Sequence, residues 1–104
     1  MTDVIDIPLE TILTKLRALA PAIKAAGVTR LAVFGSRARG DARPDSDLDV
    51  LIDTLPRTPP GSFDLFKVQH LIEDHVGIAT QVSISNLLKP RIAERIADDL
   101  IEVF

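Results

Sequence analysis

Asp47 and Asp49 stand two residues apart at the head of an apolar run, Leu48-Asp49-Val50-Leu51-Ile52-Asp53. On an extended segment this spacing turns both carboxylates to the same side. Paired hard oxygen donors are what Mg²⁺ requires when it holds the phosphates of a nucleotide. Just upstream lies Gly35-Ser36-Arg37-Ala38-Arg39-Gly40. Backbone N–H groups in a glycine-containing turn donate to phosphate oxygens. Ser36 adds a hydroxyl, and Arg37 and Arg39 are forked, permanently charged phosphate donors. One or two Mg²⁺ ions on Asp47 and Asp49 would bridge the phosphates and stabilise departing pyrophosphate, so the chemistry is in-line transfer of a nucleotidyl group to a hydroxyl. A third carboxylate on a neighbouring strand would complete the metal shell and take the hydroxyl proton. Side-chain chemistry alone does not identify that residue in this sequence.

Each piece taken singly is common loop material. Glycine, serine and arginine occur together on many surfaces, and Asp41, Asp45 and Asp53 read as plain solubilising charges. The order carries the signal: strand, small turn, arginine loop, then paired acids opening an apolar strand. Strand ends are the favoured ligand positions of α/β sheets.

The elements that must position these residues are legible from periodicity. Leu9, Ile12, Leu13, Leu16, Leu19, Ala20 and Ile23 recur at helical spacing, with Gly27 as the stop and Pro21 as a kink or a split. Val28 to Phe34 predicts a strand and Leu48 to Asp53 a second, whose near-continuous apolar character suggests burial on both faces. Three prolines between Thr54 and Gly61 predict a connecting loop. Ser62 or Asp64 caps a helix carrying Phe63, Phe66, Val68, Leu71, Ile72 and Val76, ended by Gly77. Ile78 to Ile84 alternates as a third strand. A last helix is expected from Leu87 or Pro90 to Val103, with Ile92, Ile96, Leu100 and Val103 on one stripe. The order is α-β-β-α-β-α, an α/β (α+β) class in which helices cover both faces of a small mixed sheet.

With 104 residues the chain suits one domain, residues 1–104, with room for a modest core and little for a second, substrate-holding domain. That counts against a small-molecule acceptor such as an aminoglycoside. A formal net charge of −3 offers no bulk positive surface for nucleic acid. The chain has no cysteine, which excludes disulfides and thiolate metal sites. No secretory segment or long apolar run is present, so a soluble cytoplasmic protein with no membrane association is expected. Residues Met1 to Asp6 are expected to fray.

Gly35-Ser36, a ten-residue spacer and Asp47-Leu48-Asp49, with Arg37-Ala38-Arg39-Gly40 between them, resemble the signature of the minimal nucleotidyltransferases of the polymerase-beta-like superfamily. The likeness runs on through the helix of Phe63 to His75, the Gly77 turn, the strand to Ile84 and Leu88-Lys89-Pro90. The resemblance implies that Gly35 and Ser36 contact nucleotide phosphates and that Asp47 and Asp49 ligate Mg²⁺. It implies ATP as donor and transfer of AMP to a tyrosine of a small helical HEPN toxin, which would make this chain an antitoxin and its working form a hetero-oligomer. One position departs from the pattern. Counting from Gly77 and from Leu88-Lys89-Pro90 puts the family's third aspartate at Gln81, and a carboxamide is no base at neutral pH. The alternative is then a catalytically weak, nucleotide-binding antitoxin that neutralises its partner by binding.

The remaining candidates read as scaffold. His70 and His75 are five apart on one helix and do not share a face. Lys89 and Arg91 are solvated, Ser83 and Ser85 are strand-end polar groups, and Phe34 belongs to the core.

Overall fold

A computed structural model describes residues 7–55 and 63–104. The expectations for residues 1–6, for most of the proline-rich connection and for Ser62 as a cap lie outside the described residues. The elements run α1 (Leu9–Ala18), α2 (Ala20–Ala25), β1 (Val28–Phe34), α3 (Ser36–Arg39), β2 (Leu48–Thr54), α4 (Leu65–Val76), β3 (Thr80–Ile84), a 3₁₀ turn (Ser85–Leu87), α5 (Pro90–Ile96), a second 3₁₀ turn (Ala97–Asp99) and β4 (Ile101–Glu102). The sheet order is β3-β2-β1-β4. β1 pairs antiparallel with β2 and β4, and β2 pairs parallel with β3. That parallel pair needs a crossover, and α4 supplies it.

Helices α1, α2 and α4 pack against one face of the sheet. Ile12 and Leu16 of α1, Ile23 of α2 and Val68, Ile72 and Val76 of α4 pack against Leu31 and Val33 of β1 and Leu48, Val50 and Ile52 of β2, all buried. Full burial of each such aliphatic side chain is worth roughly 1.5–3 kcal/mol. A bulge between Val28 and Arg30 lets Val28 and Leu31 both face this core although they stand three positions apart. Asp64 caps α4, accepting from the Lys67 N–H at 3.1 Å. Gly77 ends it in the left-handed conformation at φ 82°.

Of the two outcomes expected at Pro21, the split is the one found: the first helix is two, because Pro21 at the start of α2 has no N–H to continue the α1 ladder. Three expectations are corrected. The arginine loop contains a helical turn, α3, closed by Arg39 N–H to the Gly35 carbonyl at 3.0 Å. The last helix stops at Ile96 instead of reaching Val103. Asp98 and Asp99 oppose its negative C-terminal end, and Val103 joins the sheet, donating its N–H to Leu31 at 2.8 Å with its side chain buried. Finally, β2 is buried on one face, not two. Asp49, Leu51 and Asp53 point to the opposite side of the sheet and are partly exposed. Among the described residues no helix is long and apolar enough to cross a membrane.

Candidate functional site

The uncovered sheet face carries three rows of side chains set by the strand register. Phe34, Asp49 and Gln81 form the first, Ala32, Leu51 and Ser83 the second, and Arg30 and Asp53 the third. Rows on one face of a sheet are about 7 Å apart. Asp47 precedes β2 and reaches the same face as Asp49 by strand alternation.

Gly35 brings the turn onto the acids. It follows the Phe34–Asp49 pair and adopts φ 79° and ψ −158°, a conformation that disfavours side chains. The Asp49 carboxylate lies against its α-carbon. A Cβ built at position 35 would sit 3.2 Å from Asp49 Cγ and collide with Asp49 Oδ2. Only glycine permits this approach, so turn and carboxylate form one site. Ser36 then opens α3, whose first-turn N–H groups have no partner inside the helix.

The two arginines of the motif part company. Arg37 was expected among the phosphate donors, but its side chain turns inward and is 5% exposed. Its Nε donates to the Ser46 carbonyl at 3.1 Å. Its Nη2 donates to the carbonyls of Ser46 at 2.8 Å and Pro44 at 3.3 Å. Arg37 thus fastens α3 to the loop that delivers Asp47. Ser46 is tied in further, its Oγ accepting from the Arg43 N–H at 2.9 Å. Arg39 points outward and is held by Asp41 at 3.1 Å and by Asp99 at 2.8 Å. Hydrogen bonds to Asp41 first and Asp99 second raise its already high pKa.

Burial pushes the Asp49 carboxyl above the usual carboxylate range, the nearby Asp47 charge adds to this, and the Arg39 cation pulls it back. Gln81 lies beside Asp49 in the parallel ladder, and its Nε2 donates to Asp47 Oδ2 at 3.3 Å. Asp47 and Asp49, hard anionic oxygens converging at an accessible sheet end, fit a divalent cation.

Beyond the acids the second and third rows line a hollow of about 230 Å³, with Ala32, Leu51 and Leu100 as apolar wall and Arg30, Asp53 and Ser85 as polar rim. Arg30 faces Asp53 at 3.9 Å and Glu102 at 3.4 Å. The Ser85 hydroxyl donates to the Asp53 carboxylate. Sequence reasoning missed Asp53, Ser46 and Asp99 as ordering residues. Their partners lie up to 60 positions away, and no local pattern marks them. His70 and His75 are exposed on α4, across the sheet from the acids, and Lys89 and Arg91 are exposed at α5.

The family described as nucleotidyltransferase domain matches residues 9–103. Protein adenylyltransferase MntA of Thermococcus cleftensis is 30% identical over 77 residues, covering 74% of this chain and 76% of that protein. A Methanocaldococcus jannaschii protein assigned as a protein adenylyltransferase is 28% identical over 87 residues, covering 84% and 91%. Among solved structures, a protein assigned as a minimal nucleotidyltransferase superposes with a TM-score of 0.76 at 29% identity, covering 91% of this chain and 95% of that one. A toxin–antitoxin structure with AMP-PNP shares the fold, with a TM-score of 0.70 at 11% identity over 88% of this chain and 72% of that one.

Proposed function

Because this chain belongs to the nucleotidyltransferase domain family, we propose that it moves AMP from Mg-ATP to a hydroxyl of a protein partner, as an antitoxin acting on a tyrosine of a HEPN-type toxin. The observation that carries the reading is the Gly35–Asp49 approach, which joins a phosphate turn to a pair of metal-binding acids. The likeness to a protein adenylyltransferase supports AMP as the group moved, and the shared fold of a toxin–antitoxin structure supports the kind of partner.

In this reading Gly35 and Ser36 receive the β- and γ-phosphates, and Asp47 and Asp49 hold Mg²⁺. The cation, when bound, neutralises phosphate charge as it builds up on the leaving group. The Gly35–Ser36 turn lies beyond Phe34, at the end of β1. In-line displacement sets the attacking oxygen opposite the leaving pyrophosphate. The acceptor hydroxyl therefore comes in over the open face, from the Ala32–Leu51 side. A bond forms from that oxygen to the α-phosphorus, and the bond from the α-phosphorus to the bridging oxygen breaks. Pyrophosphate leaves. Gln81 takes no proton, so the proton leaves through water, the substrate phosphates or a group of the partner.

Gln81 also favours a second reading, a slow or inactive enzyme that binds nucleotide and silences its partner by contact, because an amide stands where a base is needed. The two separate in one experiment: the chain and a HEPN-type toxin co-expressed with it as candidate partner are incubated with Mg²⁺ and ATP labelled in the α-phosphate. Label on the partner, lost with Asp47→Asn, is the expected result. Bound nucleotide and a silenced but unlabelled partner would select the second reading.

A further inference from the structure

Gln81 touches both acids, one through the β2–β3 ladder and the other through its side chain. An ionised carboxylate only accepts hydrogen bonds, so the amide presents its NH₂ end to Asp47. That end has no lone pair to offer a metal. Among the described residues no group of three His, Cys, Asp or Glu side chains could hold a metal ion. Two divalent cations in one site lie about 3.5–4 Å apart, where their mutual repulsion has to be offset by anionic oxygens around and between them. Two carboxylates, one already hydrogen-bonded to an amide and the other pressed against Gly35, supply too few.

We infer that the site takes a single divalent cation and that Gln81 is a positioning residue, holding the Asp47 carboxylate in place for it. The inference rests on the nucleotidyl-transfer reading and refines it: the same acids bind the cation that accompanies the nucleotide, and no second cation joins it. Gln81 acts through Asp47 and does not touch the reacting atoms.

The test counts ions. The full chain is saturated with AMP-PNP and titrated with Mn²⁺, and the free ion is followed by electron paramagnetic resonance. The natural chain is expected to bind one Mn²⁺ per nucleotide complex, and Gln81→Asp two. Gln81 is exposed at a strand start, which suits both carboxylate variants, and Gln81→Glu serves as the second. Gln81→Ala is expected to keep one ion with several-fold weaker affinity. Two ions in the natural chain, or one ion in both carboxylate variants, overturns the single-cation inference and leaves the transfer reading standing. Unchanged Mn²⁺ affinity in Gln81→Ala overturns the positioning role. A natural chain that binds neither AMP-PNP nor Mn²⁺ overturns both this inference and the transfer reading.

Discussion

Asp49 concentrates the conflict between folding and function in one side chain. It is half buried against Gly35, with Asp47 close by, and both effects favour its neutral form. A carboxyl that holds its proton more tightly folded than unfolded makes the fold most stable where it is protonated. That contribution is fully present below the unfolded value of 3.8 and is lost as pH rises through the higher folded value. At neutral pH the protein therefore carries an unfavourable charge, which a bound cation relieves. Asp49→Asn removes the charge and keeps the shape. The variant is expected to melt higher than the natural chain at neutral pH without metal, with the difference vanishing near about pH 3, and to lose Mg²⁺-dependent nucleotide binding. Thermal unfolding at the two pH values checks this. Equal melting temperatures at neutral pH would show that the burial is not a strain on the fold.

At the scale of elements, α3 and the loop to β2 behave as one unit because Arg37 fastens them. Arg37→Met keeps much of the apolar stem and deletes the donors to Ser46 and Pro44. The expected loss is about 2–3 kcal/mol, the scale for removing a buried charged donor. Nucleotide affinity is expected to fall with it, since Ser46 precedes Asp47. Asp99→Ala, which breaks the more exposed pair with Arg39, is expected to cost about 1 kcal/mol or less. Urea unfolding distinguishes the two, and equal effects would remove Arg37 from its organising role. The same elements show where sequence reading succeeds and where it stops. Gly35, Asp47 and Asp49 were legible because one strand-turn-strand segment holds all three, and alternation fixes the direction of the acids. Arg37 was not, because arginines two apart look alike until a loop folds over one of them. The C-terminus misled for a different reason. Ile96, Leu100 and Val103 fit a helical stripe, yet Ile101 and Val103 also fit the period of a strand, and pairing with β1 decided between them. The uncovered sheet face was missed because Val50, Leu51 and Ile52 are equally apolar in sequence, while only the residues flanking Leu51 are buried.

On the scale of the whole molecule, the proposed function asks a chain of formal charge −3 to bind a polyanion at a face that displays Asp47, Asp49, Asp53 and Glu102. Arg30 is already paired with the last two, and Arg39 with Asp41 and Asp99. Arg37 faces the loop carbonyls. Arg30, Arg37 and Arg39 are thus committed to the protein's own acceptors, and the turn's N–H groups alone do not balance a triphosphate. Charge balance then requires the cation to arrive with the nucleotide. Free ATP is expected to leave the melting temperature nearly unchanged. Mg-ATP at about a hundred times its dissociation constant is expected to add about 2.7 kcal/mol, a rise of roughly 4–8 °C per kcal/mol for a chain of this size. A chelator is expected to reverse the rise, and Asp47→Asn to abolish it. Equal stabilisation by ATP with and without Mg²⁺ would mean that the acids do not form the nucleotide site, because two unscreened carboxylates beside a triphosphate oppose binding at any geometry the turn allows.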